Sequence, residues 1–489
     1  MNSNNPQNRT PRFSLLKPSC LFSLLVIFIA ILISFTIPQT NHIKTQYLKS
    51  TISPLFSPLL RFLGFNRSIL NPNEKFASSN PNLVPNPCLL WMAPFASGGG
   101  YCSEAWSYVL ALNQYNKSTS FRLSIRQHGD GENFHFWAGL PLEMKRLAYE
   151  LYETQCRFED SIAICHSEPG AWNPPLFQTV PCPPPNSKFA IGRTMFETDR
   201  VNPEHVKRCN AMDMVWVPTE FHVSSFVKSG VDPSKVVKVV QAIDTEFFDP
   251  IKYSPLDLPS LGNLVLGSGS KKLNSGNPFV FLSVFKWEHR KGWDVLLQSY
   301  LKEFNSLDGV ELYLLTNPYH SNRDFGNKIV EFAENSRLEK PVDGWAPVYV
   351  IDYHIAQVDF PGLYKAADAF VLPSRGEGWG RPIVEAMAMS LPVIATNWSG
   401  PTEYLSEENS YPLPVDRMSE VVDGPFKGHL WAEPSVDKLR LLMRHVMNNP
   451  EEAKSKGKKA REDMIDKFSP EIVANIVSDQ IRRILDKMT

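Results

Sequence analysis

The chain has no excess of charge of either sign. Fifty Lys and Arg stand against 51 Asp and Glu, so 489 residues carry a net charge of −1, with a pI near 6.8. No run of basic residues with interleaved aromatics stands out. Nucleic acid is therefore not an expected partner, because its sequence-independent binding comes from clustered Lys and Arg, and steering by a large field is excluded. Cysteine is scarce as well: seven are present, Cys20, Cys88, Cys102, Cys156, Cys165, Cys182 and Cys209. None stands in C-x-x-C spacing, which argues against a structural zinc site. Cys20 lies in an apolar run, and the other six fall in the first half of the body. Some pairs can form in an oxidising compartment, Cys156 with Cys182 among them, but spacing does not fix connectivity. Buried free thiols are an equally good reading.

What is present describes a globular protein with 43% apolar and 21% charged residues, long enough for two or three domains. The 40 prolines fall mostly in a stem and in loops. Residues 20–37, CLFSLLVIFIAILISFTI, are uncharged and almost wholly apolar. About 20 such residues cross a bilayer as a helix, so a short transmembrane helix is expected. A signal peptide fits less well, because the run exceeds a typical signal core and no A-x-A site follows. Arg9, Arg12 and Lys17 precede the run without an acidic residue, while Lys44 and Lys49 follow it. This bias favours a cytoplasmic tail (1–19) and a luminal body, giving a single-pass type II protein. The sequons Asn66-Arg67-Ser68 and Asn116-Lys117-Ser118 agree with glycosylation in a lumen. A short anchor with a long stem suggests the Golgi membrane, with the endoplasmic reticulum as the alternative.

Residues 38–85 are rich in Pro, Ser and Asn and read as the stem. Strand-like runs then alternate with helical stretches. The first series is 88–93, 121–125, 161–165, 188–192, 214–217 and 236–240. Residues 254–277 lack a pattern and read as a linker. The second series is 279–285, 312–315, 348–351, 369–372 and 393–395. Such alternation implies parallel sheets. The expected fold is α/β, with two Rossmann-like domains (86–253 and 278–468) facing a cleft. A final helix (469–489) starts with Ser469, Pro470 and Glu471. Its apolar face is Ile472, Val473, Ile476, Val477, Ile481, Ile484 and Leu485. Ligands of open α/β sheets bind beyond the carboxyl ends of the strands.

The densest chemistry lies in 374–405, SRGEGWGRPIVEAMAMSLPVIATNWSGPTEYL. A strand enters a glycine-rich turn and then a helix with Pro382 in its first turn. Unpaired N–H groups at such a start suit an anion, and the nearby Glu377 and Glu385 suit sugar hydroxyls. Glu, seven residues, Glu in this frame resembles the signature of the retaining glycosyltransferases of family four, which have the GT-B fold. The resemblance covers roughly Cys88 to the C-terminus and is sharpest in the second domain. It implies that Glu377 faces the donor sugar and Glu385 holds the ribose, with Gly378, Trp379 and Gly380 in the donor loop. Lys286 and Lys291 resemble the family's basic pair, which contacts the donor diphosphate; a solvated basic loop is the plain alternative. Gly98 and Gly99, in a glycine triplet after the first strand, resemble the loop that lets backbone approach donor and acceptor. Asp244 matches a family Asp and is assigned a structural role.

The family's first-domain His is missing: the strand at 188–192 runs into Arg193-Thr194-Met195-Phe196-Glu197. His166 and His128 follow earlier strands. His166 is the candidate for the catalytic position, and an ordinary loop histidine is the favoured reading of each. Glu197 and Asp199 are further carboxylates in this region. No D-x-D triad appears, so no metal and no cofactor is expected beside the nucleotide sugar as co-substrate. Together these observations imply a membrane-anchored, metal-independent, retaining glycosyltransferase that moves a sugar from a UDP- or GDP-sugar to a glycan, glycoconjugate or lipid acceptor. The rivals are a non-catalytic glycosyltransferase-like binding or scaffold protein, and a cytosol-facing enzyme acting on a lipid-linked acceptor.

Overall fold

The computed structural model describes residues 87–115, 121–268, 277–318 and 323–488. The apolar run at 20–37, the stem and the sequons at Asn66 and Asn116 lie outside these residues. Among the described residues no helix is long and apolar enough to cross a membrane.

The first half runs β1 (Cys88–Ala93), α1 (Gly100–Tyr115), β2 (Arg122–Gln127), α2 (Phe134–Gly139), α3 (Leu142–Glu153), β3 (Ser161–His166), β4 (Phe189–Arg193), α4 (Pro203–Ala211), β5 (Met214–Val217), α5 (Glu220–Lys228) and β6 (Val236–Lys238). Its sheet has the order β2-β1-β3-β4-β5-β6, parallel throughout. Every residue of β1 and β3 is buried, as befits a parallel sheet covered on both faces.

The second half contains α6 (Leu258–Leu261), β7 (Asn263–Leu266), β8 (Phe279–Trp287), α7 (Trp293–Glu303), β9 (Val310–Pro318), α8 (Phe325–Asn335), β10 (Val348–Ile351), α9 (Phe360–Lys365), β11 (Ala369–Leu372), α10 (Arg381–Ala388), β12 (Val393–Thr396) and β13 (Tyr411–Leu413). There follow β14 (Val415–Glu420), β15 (Leu430–Pro434), α11 (Val436–Asn448), α12 (Pro450–Phe468) and α13 (Pro470–Met488). The second sheet has the order β13-β12-β11-β8-β9-β10-β7. It is parallel except for β7, which runs antiparallel along β10 at one edge. β14 and β15 form a separate antiparallel hairpin.

Three features differ from expectation. The stretch read as a patternless linker carries β7, whose four residues are too few and too exposed to stand out from their surroundings. The hairpin β14–β15 interrupts the strand–helix alternation, and its first strand is largely exposed, so it offers no apolar period. Cys156 pairs with Cys88 rather than Cys182, and Cys182 pairs with Cys165. The pairing follows the sheet: Cys88 and Cys165 lie on the same face of the neighbouring strands β1 and β3, Cys165 opposite Met92, so each reaches a different loop cysteine. Cys102 and Cys209 are buried free thiols.

The last helix returns to the first half. Val473, Val477, Ile481 and Ile484 are buried, and α13 packs against α1. On α12, Arg461 donates to the carbonyls of Phe248 and Ala388, each at 2.6 Å, and so ties the end of the first half to the end of α10.

Candidate active site

The site is built where the C-terminal ends of β8 and β11 meet the first half. β8 leads into a single turn of 3-10 helix at His289–Lys291 and then Gly292, whose φ is +66°. A side chain there would collide with the Pro373 carbonyl, so only glycine lets the two strand ends approach this closely. The turn carries Arg290 and Lys291 to the loop after β11.

Glu377 lies in that loop and is 5% exposed. Its carboxylate accepts from Lys291 Nζ at 2.7 and 2.8 Å and lies 3.4 Å from Arg290 Nη1. Burial pushes this carboxyl up, but the two cations outweigh burial and hold it below the usual carboxylate range. Its backbone N–H donates to Ser399 Oγ at 2.9 Å. Arg290 also donates to the Gly376 carbonyl at 2.6 Å and lies 3.8 Å from Glu197 of the first half.

Behind the loop, Arg375 is 3% exposed. It donates in parallel to Asp294 (2.8 and 2.8 Å) and to Glu433 (2.9 and 3.0 Å). This two-sided fork joins the loop to α7 and β15 and fixes its path.

Glu385 sits on α10, which starts at Gly380 with φ +89° and carries Pro382 in its first turn. Its Oε2 accepts from Tyr364 Oη at 2.9 Å, and Arg381 Nε lies 3.8 Å from Oε1. Burial outweighs both partners and raises this carboxyl above its usual range. The two carboxyls are thus shifted in opposite directions.

The first half closes on the loop. A Cβ on Gly376 would strike the Glu197 carbonyl, and one on Gly378 would stand 2.7 Å from Met195 Sδ. Met195 in turn accepts through its carbonyl from Tyr101 Oη at 3.1 Å, in the first turn of α1. Gly98, with φ +74°, lies against Phe136; a Cβ on Gly99 would stand 3.6 Å from Asp130 Oδ2. The two glycine loops, one from each half, therefore belong to one chain of contacts.

The expected residues of the second half differ in their surroundings. Trp379 is 2% exposed and packs on Tyr404 and Phe468, so its ring belongs to the core. Lys286 is exposed on β8, because the strand continues to Trp287 and its alternation buries Phe285 and Trp287 while turning Lys286 the other way. Arg290, given no role from sequence, joins Lys291 at the Glu377 carboxylate. The signal that points to it is the turn closed by Gly292.

His166 is fully buried. Its Nδ1 accepts from Trp91 Nε1 at 3.1 Å, which leaves the proton on Nε2, 2.9 Å from Glu104 Oε2. Arg193 donates to the other Glu104 oxygen through Nε at 2.8 Å and Nη2 at 2.5 Å. Burial raises the Glu104 carboxyl, yet Arg193 and His166 outweigh that and hold it at about 2. His166 is thereby tied inside the first half, with no surface for a substrate.

His128 is also buried, with Nδ1 2.7 Å from the Val180 carbonyl and Nε2 2.9 Å from Ser167 Oγ. Asp244 accepts from the N–H groups of Glu246 and Phe247 at 3.1 and 2.8 Å, a turn-forming role.

Two Rossmann-like units meeting at a cleft define an α/β fold of the GT-B kind. Residues 276–423 match the family model described as "Glycosyl transferases group 1". The segment of best likeness to O-antigen chain mannosyltransferase B of Escherichia coli is 33% identical over 93 residues, 19% of this chain and 24% of that protein. Lipopolysaccharide core biosynthesis mannosyltransferase LpsB of Rhizobium meliloti is 38% identical over 68 residues, 13% of this chain and 19% of that protein. The matched segment thus spans a quarter or less of the length of these relatives. The crystal structure of Anabaena HepE in complex with UDP and glucose aligns over 81% of this chain and 100% of that one, with a TM-score of 0.54 at 14% identity. That likeness establishes the fold.

Proposed function

We propose that the chain is a retaining, metal-independent glycosyltransferase that takes its sugar from a nucleotide-diphosphate sugar. The observation that carries this reading is the Lys291–Glu377–Arg290 cluster beside the start of α10. A nucleotide-binding role for this half is supported by the family match and by neighbours of the same fold that hold UDP.

The ligand-free cluster suggests how the donor is read. The donor diphosphate competes with Glu377 for Lys291 and Arg290. Once those cations turn to phosphate, the carboxylate is free to accept hydrogen bonds from the hydroxyls of the donor sugar. Glu385, kept near Tyr364, accepts from the ribose. The N-terminus of α10 adds its unpaired N–H groups.

In the transfer step the bond from the anomeric carbon to phosphate oxygen breaks. The acceptor oxygen bonds that carbon on the same face, and its proton passes to the departing phosphate oxygen. Lys291 and Arg290 stabilise the charge growing on that diphosphate more than in the ground state. A base is supplied by the leaving group itself, which accords with a His166 that is sealed in the core.

The body is proposed to face a lumen of the secretory pathway, anchored by residues 20–37 and glycosylated at Asn66 and Asn116. Two disulfides in the first half support an oxidising compartment. The acceptor is proposed to be a glycan, glycoconjugate or lipid. Turnover of a panel of UDP- and GDP-sugars in EDTA tests the reading. Hydrolysis or transfer from one donor, lost in Glu377→Ala, is expected. Absence of turnover together with no thermal shift from UDP or GDP would remove it.

A further inference from the structure

A cavity of about 460 Å³ opens where the hairpin loop of the second half meets the first half, within the roughly 300–1,000 Å³ of small-molecule sites. Its lining includes Glu168, Leu176, Asn202, Pro203, His205 and Phe426. The hairpin is fastened there by His429, whose Nδ1 lies 2.8 Å from Thr198 Oγ1 and whose Nε2 lies 2.7 Å from Asn202 Oδ1. Leu430 N–H donates to Asp199 at 2.7 Å. The segment from Met195 to Pro203 therefore runs from the donor loop, through Glu197 beside Arg290, to the cavity.

Three lining side chains pack closely against the buried Gly170. A Cβ on Gly170 would stand 2.8 Å from Glu168 Oε1, 3.2 Å from His205 Nε2 and 3.5 Å from Leu176 Cδ1. Gly170 is not among the residues of positive φ, so its lack of a side chain serves space rather than backbone. His205 is 6% exposed, and its Nδ1 has no hydrogen-bond partner among the described residues. Burial pushes this imidazole down to about 4, so it is neutral at pH 7.

No side chain among the described residues donates to the Glu168 carboxylate, which is raised by burial, with Asp130 and Glu197 adding to the effect. Phe426 is half-buried, its ring 5.5 Å from that of Phe196. Every charged side chain lining the cavity is a carboxylate. Glu204 is paired with Lys207 and Arg208, so Glu168 is the carboxylate that disfavours an anionic ligand here. A carboxylate, a neutral imidazole and an aromatic face together match the hydroxyls and C–H face of a sugar ring.

We infer that this cavity holds a sugar ring of an uncharged glycan acceptor, with Glu168 and His205 hydrogen-bonding its hydroxyls and Phe426 lying along its ring. The inference rests on the glycosyl-transfer reading and narrows its acceptor to neutral glycans.

The test applies the full chain, loaded with UDP and in parallel with GDP, to an array of neutral, sialylated and phosphorylated oligosaccharides. Wild type is expected to retain neutral glycans only. Glu168→Gln and Phe426→Ala are each expected to weaken that binding about tenfold, and Gly170→Ala to weaken it by displacing Glu168 and His205. Glu168→Gln is nearly isosteric, so it keeps the test intact should Phe426→Ala fail to fold. Retention of anionic glycans in preference, no retention of any neutral glycan, or wild-type binding by both Glu168→Gln and a folded Phe426→Ala would overturn the assignment. Neutral-glycan binding without any thermal shift from UDP or GDP would keep the cavity as a glycan site and remove the transfer reading instead.

Discussion

Glu377 stays ionised in a place almost without water because Lys291 and Arg290 face it, whereas Glu385, with a tyrosine and a more distant arginine, is raised. Their substitutions are therefore expected to separate. Glu385→Ala should weaken nucleotide affinity about tenfold, the value of one good hydrogen bond, read by calorimetry with UDP or GDP. Glu377→Ala should lower turnover about 100-fold, as loss of sugar positioning does, with a smaller effect on nucleotide affinity. Equal, negligible effects from both would contradict the site.

The buried histidines set a pH response. His128 and His222 are each held at about 4 by burial, against 6.5 when free. Between those values the unfolded chain binds more protons than the folded one, so stability is full above about 6.5 and falls as pH drops toward 4. The melting temperature should decline across that window. His128→Gln, which keeps bonds to Val180 and Ser167, should flatten the decline. A melting temperature that rises on acidification would contradict it.

At the scale of elements, α13 carries the link between the halves. Ile481 has no exposed surface, and Ile481→Ala should cost about 2–4 kcal/mol, measured by urea denaturation. This face was legible in the sequence, since Val473, Val477, Ile481 and Ile484 recur at the helical period. So were the buried apolar strands β1, β10 and β11, and the glycine-rich loop before α10, where local chemistry dictates local shape. β7 and the hairpin were not legible, because a short exposed strand gains its stability from partners distant in sequence. Arg290 was missed for a related reason. The strand β8 extends to Trp287, and only its true end shows that the following turn delivers Arg290 and Lys291. His166 shows the reverse: its sequence position after a strand is compatible with a cleft, but Glu104 of α1, Arg193 of β4 and Trp91 of β1 enclose it.

For the whole molecule, the disulfides lie in the first half, whereas the Lys291–Glu377–Arg290 cluster belongs to the second. Cys88–Cys156 joins residues 68 apart in sequence. Cys88→Ser combined with Cys156→Ser should lower stability by about 2–4 kcal/mol, measured by chemical denaturation without reductant. The two halves meet through Arg290 and Glu197, through His429 with Thr198 and Asn202, and through α13. In the proposed reaction, donor and acceptor meet beside the loop that bears Glu377. The most direct test of this account is sugar transfer from UDP- and GDP-sugars by the full chain in EDTA, comparing wild type with Glu377→Ala and Lys291→Met. The account predicts turnover of one donor with retained anomeric configuration, lost in both variants. Turnover that is indifferent to both substitutions, or no nucleotide binding at all, would contradict it.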